Sequence, residues 1–288
     1  SETKPSVSSC HILLDSLQKI CLMHGIEVDY YKKLFQTAGN IIELIEKDDI
    51  PKYLLFLENV FPYMDNYNYQ KGMKAIIQEL KNFLKRKDIG TDSDRALLLD
   101  FQATLEIKPE KAIKLEKDAL AQIENITADN ARLVSNLHAN LGGLYRMNGH
   151  PDLAREHMEK SISLLDQFNL LHINDSIPQI ANYAMFLTEQ QEPERGISEL
   201  QKLSGIIKEY HSDDCLDYAK VQETLGTIYL MTANLPQAKT HFKRAFKIYE
   251  KIWADEPEMI EAKYQEIQEL YPQIGFCIGK NLSGLLTK

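Results

Sequence analysis

The sequence predicts an all-α fold, a right-handed superhelical solenoid of antiparallel helix pairs. The first observation is a period, because Pro109, Pro151 and Pro193 stand 42 residues apart. The second is that apolar residues recur at steps of three and four within each unit, which is the spacing of a helix with one buried face. The third is that only 13 Gly and 10 Pro occur in 288 residues. So few helix breakers favour long helices over a sandwich or barrel.

Other columns of similar residues follow the same step, as expected for a repeat architecture. Two of these columns hold small residues: Ala112, Ala154, Gly196 and Ala238 in one, and Gly142, Ala184 and Gly226 in the other. Small side chains let two helices approach closely, because a bulky one would force them apart. Between the helices of a unit, Gly149 supplies a left-handed stop and Pro151 suits the first turn of the next helix. Each unit is therefore predicted to hold two helices.

Helix pairs are predicted along the whole chain. Residues 1–48 are expected to form an N-terminal tail and a capping helix pair, and residues 49–256 the solenoid itself, including a pair over 51–86 whose register is shifted. Residues 257–288 are expected to form C-terminal capping helices. Solenoid ends usually diverge because their outer faces meet water. At 42 residues a pair, the chain corresponds to about seven pairs in one continuous solenoid.

Two units carry the motif L-G-x-x-Y, followed after eight residues by A-x-x-x-large-x-x-small. The two copies are Leu141, Gly142, Tyr145, Ala154, Met158 and Ser161, and Leu225, Gly226, Tyr229, Ala238, Phe242 and Ala245. This pattern resembles the tetratricopeptide repeat, whose common form has 34 residues. The eight extra residues amount to about two helical turns. The chain is therefore similar to the 42-residue repeats of kinesin light chains and bacterial signalling proteins, which implies a module that binds a protein or peptide.

A narrower resemblance lies near the N-terminus. The segments Lys4-Pro5-Ser6, Asp29-Tyr30-Tyr31 and Tyr67-Asn68-Tyr69 are similar to the region where the C-terminal repeat arm begins in bacterial NB-ARC/STAND-type signalling ATPases. The resemblance implies the sensor or scaffold arm of a larger bacterial cytosolic signalling protein. An N-terminal NTPase domain would then lie outside this chain. The chain also starts without Met, as is expected of either a mature or an excised fragment.

Composition and charge argue against several function classes. With 33 Lys+Arg against 42 Asp+Glu, the net charge is −9, so the chain lacks overall the positive footprint that nucleic-acid binding requires. No apolar run reaches about 18 residues, so no membrane span is predicted. The four cysteines form no C-x-x-C pair and no disulfide framework, which indicates a reducing, cytoplasmic location.

No catalytic, cofactor or metal site is predicted. The run Gly275–Asn281 resembles a P-loop, but it is one residue short and lacks the Ser or Thr, so a helix end is expected there. His157, His211 and His241 show no zinc-ligand spacing and are expected at the surface. Neither a G-x-S-x-G elbow nor the setting of an activated cysteine is present. The chain is therefore predicted not to be an enzyme.

A partner-binding groove is predicted along the first helix of each pair. Helical spacing places a second stripe beside the residues that face the partner helix, and in tetratricopeptide repeats such a stripe lines the concave surface. The candidate groove residues are Asn136, Asn140, Gly143, Arg146, Met147, Asn182, Met185, Glu189, Lys220, Glu223, Thr224, Thr227 and Met231. Asn140 and Asn182 are equivalent, and such amides can pair with an extended peptide backbone. Arg146 could clamp a carboxylate.

Three functions remain open from the sequence. The first is a non-enzymatic module that binds a peptide or protein segment in its groove. The second is a stand-alone regulator resembling the peptide-pheromone receptors of Gram-positive bacteria, which also have long repeats after an N-terminal helical part. The third is an all-α enzyme with an active site inside a helical toroid, which would require a cluster of perturbed ionisable groups in a cleft.

Overall fold

A computed structural model describes residues 73–74, 77–78, 81–82, 84–85, 90–173 and 176–270. Within these ranges every regular element is an α-helix, as predicted. None of these helices is long and apolar enough to cross a membrane. The predicted N-terminal tail and capping helix pair over 1–48, most of the pair over 51–86 and the predicted helix end at 275–281 lie outside the described residues. The chain divides into two compact units, residues 1–133 and 134–288.

The first unit contains the pair α1 (Asp92–Thr104) and α2 (Pro109–Leu120). α1 begins with a reciprocal cap, because the Thr91 hydroxyl accepts from the Asp94 N–H at 3.2 Å and the Asp94 carboxylate accepts from the Thr91 N–H at 2.7 Å. This arrangement satisfies two N–H groups that the helix itself cannot pair. α2 begins at a proline, and its small residue Ala112 is buried where α1 and α2 pack together.

The described part of the second unit holds three helix pairs and one further helix. Their bounds are α3 (Ala131–Met147), α4 (Pro151–Gln167), α5 (Ser176–Glu189), α6 (Pro193–Tyr210), α7 (Leu216–Met231), α8 (Leu235–Ile252) and α9 (Pro257–Leu270). α3 begins three residues before the boundary between the units. Helices α5 to α8 share a continuous apolar core that includes the fully buried Leu200, Leu203 and Phe242. Pro151 and Pro193 open α4 and α6, which confirms the predicted helix starts.

The two helices of each of the three pairs in the second unit are separated by the same left-handed turn. Gly149, Gln191 and Ala233 occupy equivalent positions and have φ angles of 73°, 64° and 58°. In each turn the next N–H reaches back to a carbonyl five residues earlier, as in His150 N to Tyr145 O at 2.9 Å. This hydrogen bond satisfies a terminal carbonyl of the first helix. The predicted stop at Gly149 is confirmed. In the other two turns the position is held by Gln191 and Ala233, whose Cβ atoms make the left-handed backbone sterically unfavourable.

The small-residue columns lie where paired helices touch. A Cβ on Gly196 would stand 2.7 Å from the carbonyl oxygen of Ala184, and one on Gly142 would stand 2.6 Å from Met158 Cγ. A Cβ on Gly226 would meet the Phe242 ring at 3.0 Å. The expected close approach is therefore confirmed at all three glycines. Gly196 is the most constrained, because it faces backbone that cannot rotate away.

Candidate functional site

The thirteen predicted groove residues lie on the three first helices of the second unit. Asn136, Asn140, Gly143, Arg146 and Met147 are on α3, Asn182, Met185 and Glu189 are on α5, and Lys220, Glu223, Thr224, Thr227 and Met231 are on α7. We call this set the first-helix stripe. All of its members are exposed or half-buried, which is the condition for reaching a ligand.

A cavity of about 220 Å³ lies within the stripe, between α3, α4 and α5. Its walls are Ala139, Gly143, Arg146, Met147, Met158, Ser161, Gln179 and Asn182. It therefore brings together four predicted residues, three from α3 and one from α5. We call this the α3–α5 cavity. Its volume is of the order of one large side chain and below that of a typical small-molecule site.

The α3–α5 cavity has an apolar floor and a polar edge. Gly143 leaves space, because a Cβ there would meet no atom within 4 Å. Met158 is buried beneath it, whereas the Met147 side chain is 82% exposed at the rim. Asn182 is exposed and makes no hydrogen bond within the described part of the chain. Its amide can therefore both donate to and accept from an incoming backbone.

A buried polar cluster supports the base of the cavity. Gln179 Oε1 lies 2.8 Å from the Ser135 hydroxyl and 2.5 Å from the Ser161 hydroxyl. Gln179 Nε2 donates to Asn136 Oδ1 at 2.6 Å. These contacts fix the orientation of the Gln179 amide and occupy one acceptor of Asn136, so Asn136 is tied to the protein itself.

Gln179 is absent from the residues predicted from the sequence. Comparison at the 42-residue step could have identified it, because the equivalent residues in the neighbouring units are the apolar Leu137 and Val221. A buried glutamine in an otherwise apolar column indicates that a polar partner stands opposite. That partner is Ser161, which replaces Ala119 and Leu203 in its own column.

Arg146 is already engaged by a carboxylate of the same chain. Its Nε donates to Glu189 Oε2 at 2.8 Å, and its Nη2 pairs with Glu189 Oε1. This two-pronged contact joins α3 to α5 along one edge of the cavity. A ligand carboxylate would have to displace Glu189 to use the clamp, so the pair acts here as a wall that positions both helices.

The α7 residues of the stripe lie outside the cavity. Glu223 accepts from the buried Tyr249 hydroxyl at 2.5 Å and pairs with Lys263 Nζ at 3.3 Å. Burial lowers the pKa of the Lys263 ammonium, but Glu223 and Glu266 outweigh that effect and raise it above its usual value. Glu223 therefore braces α7 against α8 and α9, while Thr224 donates to the Lys220 carbonyl of its own helix.

The remaining members of the stripe divide between packing and exposure. Met185 is half-buried and packs against the core. Thr227 is also half-buried, whereas the Met231 side chain is 42% exposed. The exposed apolar part of the stripe is therefore formed by Met147 and Met231, on α3 and α7.

Two histidines form stacks within their helix pairs. His157 lies against the Tyr145 ring and His241 against the Tyr229 ring, with centroids 5.4 Å and 5.3 Å apart. Both are half-buried, so the expectation of surface histidines is wrong for them, although it is confirmed for the exposed His211. His157 Nδ1 is 2.8 Å from His138 Nδ1. Burial, then the charges of His157 and Lys160, lower the His138 pKa to about 4.

Among the described residues no group of three or more His, Cys, Asp or Glu side chains could hold a metal ion. Cys215 caps α7, with its Sγ accepting from the Tyr218 N–H at 3.4 Å.

The helix pairs, their left-handed turns and their small-residue contacts are shared with a known repeat family. The family described as tetratricopeptide repeat matches residues 176–251, which cover α5 to α8. The fold is that of tetratricopeptide repeats. No curated protein gives a significant sequence match.

Two solved structures illustrate the similarity. The structure of BtubC (BKLC) from P. vanneervenii is 19% identical, with a TM-score of 0.52, and the match covers 63% of this chain and 72% of that chain. A variant of the nearly identical TPR-like repeats from a protein named as a kinesin light chain of Podosopora anserina is 12% identical. Its TM-score is 0.53, and the match covers 69% of this chain and 96% of that chain.

These similarities indicate a class of function. Tetratricopeptide repeats generally present extended surfaces to other proteins and serve as scaffolds without catalysis. Protein–protein interaction is therefore the function class that the fold supports for this chain.

Proposed function

We propose that this chain is a non-enzymatic binding module that holds an extended peptide segment along the first-helix stripe, with the α3–α5 cavity as its anchor site. The observation that carries the proposal is the pairing of an open apolar cavity at Gly143 and Met158 with the exposed amide of Asn182 at its edge. The cavity can accept a side chain of the peptide, and the Asn182 amide can bind the peptide backbone.

The size of the cavity favours an aliphatic or methionine anchor. A cavity of about 220 Å³ accepts one such side chain, and burying it contributes about 1.5–3 kcal/mol. Met147 at the rim is flexible and can fold over ligands of different shape. Asn140 stands one helix pair before Asn182 in the repeat, so a peptide backbone running across α3 and α5 would meet both amides.

We also propose the wider setting that the sequence resemblance implies. The chain would be the sensor or scaffold arm of a bacterial cytosolic signalling ATPase, with 42-residue repeats over 49–256 between N-terminal and C-terminal capping helices. Its support is the local similarity to NB-ARC-type proteins near residues 4–69. Sequencing the gene upstream of Ser1 tests this, since a P-loop domain is expected there and a start codon beside Ser1 would contradict it.

The groove proposal is tested by selecting peptides from a random displayed library on the purified chain and measuring their affinity by fluorescence anisotropy. Gly143→Leu would fill the cavity and is expected to weaken binding at least about tenfold. Asn182→Ala removes one amide and is expected to weaken it about three- to tenfold.

Gly205→Leu is the matched control, because Gly205 is also a helical glycine with no atom near its missing Cβ and lies on α6, away from the cavity. Circular dichroism establishes that each variant folds. If Gly143→Leu and Asn182→Ala both bind the selected peptides like the parent, the assignment of the groove is wrong.

A further inference from the structure

A second concave site lies away from the first-helix stripe. It is a cleft of about 490 Å³ lined by Lys208 of α6, Asp213 and Asp214 of the following loop, Tyr218 of α7, and Arg244, Lys247, Ile248 and Lys251 of α8. We call it the α6–α8 cleft. Four of its side chains are cationic and two are acidic, although the whole chain carries a net charge of −9.

The two acids of the cleft leave half of its positive charge without a matching carboxylate. Among the described residues its one ion pair joins Lys251 to Asp214. The Lys208 ammonium lies 5.1 Å from the centre of the Tyr218 ring, which leaves its charge in place. Arg244 Nη1 donates to Gln222 Oε1 at 3.3 Å, and the guanidinium has further N–H groups to offer.

The second helices of the two preceding pairs, α4 and α6, show how acidic residues neutralise the basic residues at the equivalent surface. Between α4 and α6, Asp166 pairs with Lys202 at 3.4 Å, and Glu159 pairs with Arg195 at 3.3 Å. One repeat later, Lys208 stands in place of Asp166, and Arg244 stands in place of Lys202. The acid has become a cation while its basic partner has remained basic.

The change of sign costs stability, because two cations on the same cleft repel each other. The second pair is also absent from the α6–α8 contact, where Gln201 and Gln237 stand in place of Glu159 and Arg195. Within the described ranges no ion pair joins α6 to α8. A surface that lacks these ion pairs and carries several cations has the chemistry of an anion-binding site.

We propose that the α6–α8 cleft binds an extended acidic segment of a partner protein, with its carboxylates on Lys208, Arg244 and Lys247. Arg244 and Lys247 lie on one face of α8, about 4.5 Å apart along the helix, and Lys208 lines the same cleft from α6. Acidic side chains on one face of an extended peptide repeat about every 7 Å. Two of them therefore fit across the cleft, one on Arg244 and Lys247 and the other on Lys208, because the axes of neighbouring helices lie about 8–10 Å apart.

The acidic end of the cleft sets the direction of the segment. Asp213 and Asp214 stand together in the loop before α7, and they would repel a carboxylate at that end. The bound segment is therefore expected to place its acids toward Arg244 and a neutral or basic residue toward the loop. This site is separate from the peptide groove and does not depend on it.

The test measures binding of a fluorescein-labelled ten-residue peptide of alternating Glu and Ser to the purified chain by anisotropy at low salt. The chain is expected to bind this peptide and not the matching Lys and Ser peptide. Combining Arg244→Glu with Lys247→Glu is expected to weaken binding at least about tenfold. Lys208→Asp, which restores the acid of the preceding repeat opposite Arg244, is expected to weaken it to a similar degree.

The control combines Lys111→Glu with Lys239→Glu, which changes the net charge equally at exposed positions outside the cleft. It is expected to change the affinity less than about twofold. Equal losses in both double variants would show unspecific attraction and overturn the proposal. Competition by pyrophosphate or by a ten-nucleotide oligothymidylate at the peptide's own concentration would also overturn it, in favour of a small anion or a nucleic acid. Failure of the parent chain to bind the Glu peptide would do the same.

Discussion

Two neighbouring pairs of second helices, α4 with α6 and α6 with α8, share the same buried core positions but differ in the charges on their surfaces. We call them the α4–α6 contact and the α6–α8 contact. In both, the core position that ends each second helix is apolar and buried, as Leu165, Ile207 and Tyr249 show. The exposed position beside it changes from Asp166 to Lys208. The first contact is closed by ion pairs, whereas the second is open and cationic.

The difference shows which positions of the repeat determine packing and which can vary. A core residue is constrained by contacts on all sides, so its column stays apolar. An exposed ion pair contributes less than about 1 kcal/mol, so reversing one of its charges leaves the fold intact. Neighbouring contacts can therefore acquire different binding properties on one scaffold.

The largest expected effect concerns α6, the helix that both contacts share. Gly196→Ala should lower the free energy of unfolding by about 2–3 kcal/mol, because the new Cβ would stand 2.7 Å from the Ala184 carbonyl oxygen. Gly205→Ala on the same helix meets open space and should raise it by about 0.5–1 kcal/mol. Urea unfolding of both variants measures the contrast, and equal effects would refute the close approach of α5 and α6.

The histidine pair predicts a pH effect confined to one helix pair. The pKa of His138 lies at about 4, below its value of about 6.5 in an unfolded chain. Its contribution to stability is therefore complete above about pH 6.5 and is lost as the pH falls toward 4. After allowance for solvent screening, the loss should be about 2 kcal/mol.

His138→Gln tests the origin of this effect. At the equivalent position the Gln222 Oε1 accepts from His241 Nδ1 at 2.9 Å, so glutamine should preserve the contact to His157 without titrating. Urea midpoints between pH 4 and 7 should then show a smaller loss for the variant than for the parent. An unchanged pH dependence would assign the effect to other groups.

At the left-handed turns, replacing alanine by glycine and replacing glycine by alanine are expected to have opposite effects on stability. Ala233→Gly should stabilise the chain by about 1 kcal/mol, because alanine is strained at a φ angle of 58°. Gly149→Ala should destabilise it by a similar amount, since the glycine has a φ angle of 73°. Thermal unfolding gives both values, and a stabilising Gly149→Ala would be inconsistent with this geometry.

The smallest expected effect tests whether one charge distinguishes the two contacts. Asp166→Lys places a cation opposite Lys202, as in the α6–α8 contact, and should cost less than about 1 kcal/mol in urea unfolding. A large loss of stability would mean that the Asp166–Lys202 pair holds the α4–α6 contact together.

The sequence by itself determined the all-α fold, the helix starts at the prolines, the stop at Gly149 and the close contacts at the small residues. These features recur at a fixed step and depend on local geometry, so a single chain displays them several times. It also placed Gly143, Arg146, Met147 and Asn182 on one stripe, because helical spacing alone decides which residues share a face.

Only the tertiary structure decided how the side chains of different helices pair. The engagement of Arg146 by Glu189 and the cluster around Gln179 join residues that are 18 to 44 positions apart, and the cationic α6–α8 cleft draws its lining from three helices and a loop. A long polar side chain can reach several partners, and the distances between packed helices select one of them. The repeat thus predicts the scaffold, whereas the proposed binding surfaces also depend on which polar side chains the packed helices bring together.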